Sequence, residues 1–562
     1  MEYNIAEFKN IFHQKLLRHN FIMRSTIFEK HSKSFLAENS NPIPCHLNCT
    51  GMQSWTVKGA TPYGLPLKFK ILPQFLNDLG YKSVAVGKWH LGSYSAKYAP
   101  VNRGFATHVG HWTGQQDYFN HTAKEGKNWG YDFRRNMNVS WSDYGKYATD
   151  IFTEEAVKAI NLHNTTNSMQ PLFLYLAHLA VHSPLQAPEE IIEMFRDRIL
   201  DPNRRIFAAM LYKMDESVSK IVAALKGNNM LENSVIVFTT DNGGPASGFN
   251  KNVASNFPLK GIKDTLWEGG VRGSAFVWSP LLNKTSYVSK QMMSIEDWLP
   301  TLYSVAGGAV SDLPQKLDGF NMWTVLSEDS LSSRHEVLHN IDESRGIAAL
   351  RKDEWKIVKG TTYDGQWDDW YGPSGLEFNH TYNYKNILNS STGPHIESIG
   401  HPVPNTARMA NLRQSANVQC HRNGNESSCK PLNEVCLFNI NDDPCEYNNV
   451  ASKYPDLVKI MQIRLEKYKA AAVPPENKPA DPRANPKYFN NTWTNWWDMV
   501  DHKNGSTNTW IWVSLAVIFS LVLLGYIIIK SFQCYKRKNP MESTIKIGYE
   551  VDKVEVSMEE VI

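Results

Sequence analysis

The chain has 562 residues, 42% of them hydrophobic and 20% charged, which is ordinary for a globular protein with room for a large α/β domain and a smaller one. A formal net charge of +3 over that length does not suggest nucleic-acid binding, which needs a basic patch or stripe. The 17 Trp, 24 Tyr and 24 Phe read first as core-packing residues.

Met1–Lys30 holds no uninterrupted apolar run of the length a secretory signal requires. From about Tyr63 the pattern alternates between helix and strand. Ile71–Leu79 carries an apolar stripe at helical spacing, with Gly80 as its stop. Ser83–Val86 reads as a short buried strand, Glu154–His163 as a helix and Leu172–Ala177 as a continuous apolar strand. A long helix over Arg205–Leu225 precedes another buried strand, Ser234–Thr240. Fully apolar strands separated by helices predict a mostly parallel sheet covered on both faces. After about Val310 the character changes. Trp355–Val358 alternates like a half-buried strand, Thr361–Ser427 is rich in Gly, Asn, Ser and Tyr and reads as long loops, Val435–Asn439 as a strand and Tyr454–Ala470 as an amphipathic helix. That is the pattern of a smaller α+β domain, and no internal repeat is visible.

The last third ends differently. Pro474–Pro486 is a Pro-rich linker, and Trp510–Ile529 contains no charged residue over a length that crosses about 30 Å of hydrocarbon. Trp510 and Trp512 stand at one end and Lys530, Lys536, Arg537 and Lys538 beyond the other, so the residues before Trp510 are expected outside the cytosol. The N-x-[ST] triplets at Asn48, Asn120, Asn138, Asn164, Asn283, Asn379, Asn389, Asn425, Asn490 and Asn504 all precede the span. Cys420, Cys429, Cys436 and Cys445 suit two disulfides in an oxidising lumen, with three pairings open. A zinc site is the rival reading, and the short spacings of a zinc knuckle are absent. Cys534, just past the span, reads as a free thiol or a palmitoylation site.

In parallel sheets, ligands gather at the carboxyl ends of strands. There the sequence places Gly87-Lys88-Trp89-His90-Leu91-Gly92, then His178 to Val181-His182-Ser183-Pro184, then Asp241-Asn242-Gly243-Gly244, with Lys263 in the following segment. Taken singly, a His after a strand is most often structural and D-N-G-G most often a turn. Together, two lysines, two or three histidines, a carboxylate and a carboxamide suit a tetrahedral oxyanion held beside a hard cation.

GKWHLG, VHSPLQAP, TDNGG and PLKGIKDTLWEGGVRGSAFVWSP resemble the corresponding blocks of the arylsulfatase B branch of the sulfatases, and CLFNINDDPCEYNNVASKYPDL resembles that branch's small domain. The resemblance covers roughly Thr50 to Pro486. It implies an alkaline-phosphatase-like sulfatase fold: a large, mostly parallel sheet flanked by helices, a smaller C-terminal α+β domain and, here, one C-terminal transmembrane helix. It also implies one Ca²⁺ and hydrolysis of sulfate esters on galactosamine-containing glycosaminoglycans or aryl sulfates. By that resemblance Asp241 and Asn242 bind the metal, Lys88 and Lys263 hold the sulfate, His90 serves the nucleophile and its sulfate adduct, and His182 protonates the leaving oxygen. His178 has no counterpart and is expected to be structural.

The resemblance fails at the start. The family's nucleophile is a formylglycine made from the first residue of C-x-P-S-R-x-x-x-x-T-G. With Thr50-Gly51 as the motif's end, Asn41 stands at the nucleophile, Ile43 at the proline, Pro44 at the serine and Cys45 at the arginine. Neither Cys45 nor Cys49 is followed by x-P-x-R, and Met1–Ser40 contains no Asp to supply the family's metal-binding pair. A missing first strand and a chain without turnover are therefore expected. All these losses fall in one contiguous stretch, as a gene-model or splice replacement would produce. A sulfated-glycan-binding pseudoenzyme is the alternative, and a phosphatase of the same superfold a third reading. The expected organisation is an atypical segment over 1–49, a catalytic domain over 50–340, a small domain over 341–473, a linker over 474–509, a transmembrane helix over 510–529 and a cytoplasmic tail over 530–562.

Overall fold

Six consecutive apolar residues leave no strand face for water, and in the computed structural model Leu172–Ala177 is buried throughout. The structure describes residues 20–26 and 50–538, except 167–169, 247, 315–316, 374–382, 389, 421, 423 and 425. Its strands are β1 (Asn20–Thr26), β2 (Lys82–Lys88), β3 (Thr107–His111), β4 (Thr122–Glu125), β5 (Asn128–Tyr131), β6 (Arg134–Arg135), β7 (Asn138–Val139), β8 (Leu172–Ala177), β9 (Ser234–Thr240) and β10 (Ala275–Trp278), followed by β11 (Glu336–Asp342), β12 (Ile347–Lys352), β13 (Trp355–Lys359) and β14 (Cys436–Asn439). The main sheet has the order β10-β9-β1-β8-β2-β3-β6-β7. Its five central strands, β9 to β3, are parallel, and antiparallel pairings close both edges.

Alternate residues of the central strands serve different layers. Phe173, Tyr175, Ala177, Val235 and Val237 pack with Leu72, Phe75 and Leu76 of α1 (Leu72–Asp78). Leu172, Leu174, Leu176 and Ile236 pack instead with Ile151, Phe152 and Ala156 of α2 (Ala148–Thr166) and with Met210, Ile221 and Leu225 of α3 (Pro202–Gly227). Two-sided burial is why these strands read as unbroken apolar runs. Gly80, at φ 83°, ends the turn after α1 as expected. The Asp201 side chain caps α3 by accepting from Arg204 N at 2.8 Å, which starts the helix three residues before the expected Arg205.

One expectation is overturned. No first strand was expected before Tyr63, yet β1 sits in the middle of the sheet, paired in parallel with both β8 and β9. Only Phe21, Ile22 and Met23 are apolar in its seven residues, so the run carries little signal of its own. Its place comes from the unpaired backbone edges that β8 and β9 would otherwise bury. It ends in Ser25-Thr26, level with Thr239 and Thr240, and brings no carboxylate there.

The second sheet is antiparallel, β11-β12-β13-β14, and contains both strands expected in this region. A helix over Pro455–Ala471 covers it through Met461 and Leu465. Within the expected loop region lies a further helix, Thr406–Ala416, capped by Asn405, whose side chain accepts from Arg408 N at 2.9 Å. It buries only Leu412, which explains its lack of an apolar stripe. The disulfides are Cys420–Cys445 and, nested within it, Cys429–Cys436.

Both sheets belong to one compact unit ending at Asp498, so the boundary expected at 340/341 does not divide the structure; a second unit starts at Met499. A helix over Trp496–Lys538 contains Ser514–Cys534, long and apolar enough to cross a membrane and the only such helix among the described residues. It overlaps the expected 510–529 span.

Candidate functional site

The carboxyl ends of β2, β8 and β9 open together onto a cavity of about 360 Å³. Lys88, the last residue of β2, lines it, as do His182 from the loop after β8, Asp241 and Asn242 immediately after β9, and Lys263. Five of the six residues picked from the sequence thus meet in one place. Lys88 and Lys263 are buried, at 3% and 4% exposure, so their charges act in a medium that screens little.

Asp241 faces the cavity with protein packed around the rest of it. That desolvation pushes its carboxyl up to about 7, against the downward pull of Lys263 and Lys88. His182 Nδ1 lies 2.7 Å from the Ser183 carbonyl oxygen and donates to it, which leaves Nε2 to face Lys263 Nζ at 3.4 Å. The Asn242 amide donates to the Gly243 carbonyl at 2.7 Å, and its Oδ1 is buried without a hydrogen-bond partner among the described residues.

Close backbone contact holds this loop. Gly243 N donates to the Gly270 carbonyl at 3.0 Å, and a Cβ on Gly243 would overlap the Gly269 carbonyl. The glycines of TDNGG and LWEGG are thus two halves of one contact, carrying Asp241 and Asn242 on one side and Arg272 on the other.

The sixth residue, His90, is not among those lining the cavity. It is buried at φ 56°, with Nε2 donating to the Val57 carbonyl at 2.7 Å. Standing two residues after Lys88 does not bring His90 into the cavity lining. His178, expected to be structural, does line the cavity, with Nε2 2.9 Å from Ser217 Oγ of α3. Arg272 and Asn417 were not singled out and also line it. Arg272 stood in view within LWEGGVRG; Asn417, from a region read as loop, carried no signal.

A Ca²⁺ ion takes six to eight oxygen ligands. Asp241 and the orphaned Oδ1 of Asn242 are donors of the right type. β1 adds no carboxylate, and no group of three or more His, Cys, Asp or Glu among the described residues is placed to hold a metal. The described donors therefore do not complete a Ca²⁺ site. The expected nucleophile region, Asn41 to Cys49, lies outside the described residues.

Comparison with known proteins agrees with this geometry. The sulfatase family model matches residues 40–309. Mouse Arylsulfatase J is 35% identical over 478 residues, spanning 81% of this chain and 71% of its own length. The dog N-acetylgalactosamine-6-sulfatase is 30% identical over 290 residues, 48% of this chain and 51% of that protein. Among solved structures, Ps i-CgsB superposes with a TM-score of 0.58 at 22% identity, covering 82% of this chain and 94% of that one, a likeness of fold. With lysines, a histidine and the Asp-Asn pair converging at strand ends in that fold, the chain belongs to the sulfatase family, the sulfuric ester hydrolases.

Proposed function

We propose that this sulfatase is of the arylsulfatase B type and acts on sulfated galactosamine-containing glycans. The observation that carries the reading is the convergence of Lys88, His182, Asp241, Asn242 and Lys263 on one cavity. Lys88 and Lys263 would hold the sulfate, their buried ammonium groups stabilising charge on its oxygens. His182, charged as the imidazolium, would give the leaving oxygen its Nε2 proton and return to the neutral ring, held by the bond from Nδ1 to Ser183. Asp241 and Asn242 would contribute oxygens to the divalent metal that sulfatases typically use, alongside their formylglycine. No step is assigned through either group, because the described ligands do not complete the metal site. His90 would serve the nucleophile and its sulfate adduct, a role that turns on a region outside the described residues. The name of the N-acetylgalactosamine-6-sulfatase relative supports the choice of sugar.

A second reading, binding of sulfated glycans without turnover, is favoured by the absence of C-x-P-S-R from the sequence. One experiment separates the two. Full-length protein is incubated with a galactosamine 4-sulfate glycan, and free sulfate and bound glycan are both measured. Release abolished by Lys88→Ala and by Lys263→Ala supports the hydrolase; binding with the same dependence but no release supports the second reading; neither binding nor release refutes both.

The Ser514–Cys534 helix and the position of every N-x-[ST] triplet before it support a single-pass type I protein, glycosylated outside the cytosol, at the lysosomal membrane or cell surface. Removal of N-glycans by endoglycosidase, with a resulting fall in apparent mass, tests that sidedness.

A further inference from the structure

Resting on the reading of this cavity as a sulfate-ester site, we infer that Arg272 and the wall at Ala416–Val418 form a recognition subsite for a second anionic group on the same substrate, as carried by an acidic saccharide. A sulfate monoester brings one negative charge, which Lys88 and Lys263 already answer from buried positions. Asp241 is the only carboxylate among the described lining residues, so the two lysines match it and the ester between them. Arg272 is therefore cationic surplus for a simple ester. It is exposed, and its guanidinium makes no hydrogen bond or ion pair with the described residues. A planar fork of donors in that setting suits a carboxylate or second sulfate. Asn417 is likewise exposed, and its side-chain amide makes no hydrogen bond to the described residues.

Both parts of the subsite are tied to one buried point. Arg272 N donates to the Glu268 carbonyl at 2.9 Å, ending the short helix Glu268–Val271. Asn417 lies three residues before Cys420, whose disulfide partner Cys445 precedes Glu446. Glu446 in turn accepts from Glu268 N at 2.7 Å. The arginine and the Ala416–Val418 segment are thus both anchored to one buried cluster while lining the same cavity, as recognition of a two-charge ligand requires.

The test uses full-length protein in detergent and equilibrium binding, so it does not depend on turnover. The probes are a galactosamine 4-sulfate–uronate disaccharide, the same disaccharide with its carboxylate reduced to an alcohol, and inorganic sulfate. The expected result is roughly tenfold tighter binding of the uronate form by wild type. Arg272→Gln should bring the two affinities within about twofold, while Arg272→Lys keeps most of the preference. In wild type the preference should also shrink as salt rises. Equal affinities in wild type, or a preference that survives Arg272→Gln, would overturn the subsite while leaving the sulfate site standing. Failure of wild type to bind either disaccharide or inorganic sulfate would overturn the sulfate-site reading and the subsite with it.

Discussion

Lys356 Nζ lies 2.8 Å from Glu446 Oε1, and both side chains are completely buried. The same ammonium lies 2.9 Å from Glu268 Oε1, so a lysine on β13 of the second sheet joins the segment carrying Arg272 to the segment following Cys445. Desolvation pushes both carboxyls up. Lys356 together with His339 and Arg272 outweighs it for Glu268, whose pKa falls, whereas Glu446 stays raised. The segment leading into β10 of the main sheet is tied to the second sheet through this cluster and through the packing of Trp267 on Ala349, Val358 and Phe438.

Removing the cation should therefore be costly. Lys356→Met would leave two facing carboxylates without their partner, an expected loss of about 3–5 kcal/mol. Chemical denaturation would measure it, and adding Glu446→Gln should restore part of the loss. An unchanged midpoint for Lys356→Met would show that the cluster contributes little.

His182 offers a test by leaving group. An aryl sulfate departs without protonation, whereas a sugar alkoxide needs a proton. In an actively hydrolysing preparation, His182→Gln should slow sugar-sulfate hydrolysis by about 10²–10⁴-fold and 4-nitrophenyl sulfate hydrolysis far less. Equal slowing of both substrates would count against the proton-donor role.

Acid stability should depend on His108. Nε2 of this fully buried ring donates to the Gly87 carbonyl at 3.0 Å, and burial pushes its pKa down to about 4. The unfolded chain takes up the proton near the ordinary value of about 6.5, so the folded state binds it less readily in between. The contribution is complete above pH 6.5 and is lost as pH falls toward 4, amounting to about 3 kcal/mol for this group. His108→Gln should flatten stability between pH 6.5 and 4, as measured by urea midpoints across that window.

Gly243→Ala places a methyl group against the Gly269 carbonyl and so separates the Asp241–Asn242 loop from the segment bearing Arg272. The expected result is a lower Tm together with loss of sulfated-glycan binding. Gly248→Ala is the control, because although its φ is also positive, at 87°, nothing stands within 4 Å of the added carbon. It should cost some stability and leave binding intact.

Much of the site was legible because local chemistry and strand position coincide. Lys88, Asp241 and Asn242 follow apolar runs that cannot be anything but interior strands, and parallel strands share one carboxyl end. His90 shows the limit. Its place after Lys88 was plain, but its direction follows from the bond to Val57, 33 residues earlier in the chain.

By itself, the sequence determined the sheet's apolar strands, the covering helices, the apolar C-terminal span and the cluster of strand-end polar residues, since each is written in hydrophobic period and short-range chemistry. Tertiary structure alone decided that the weakly apolar run Asn20–Thr26 fills the centre of the sheet, that Cys420 pairs with Cys445, and that Arg272 and Asn417 line one cavity. Those outcomes depend on partners distant along the chain, and a backbone edge, a thiol or a guanidinium carries no mark in its own neighbourhood of what it will meet.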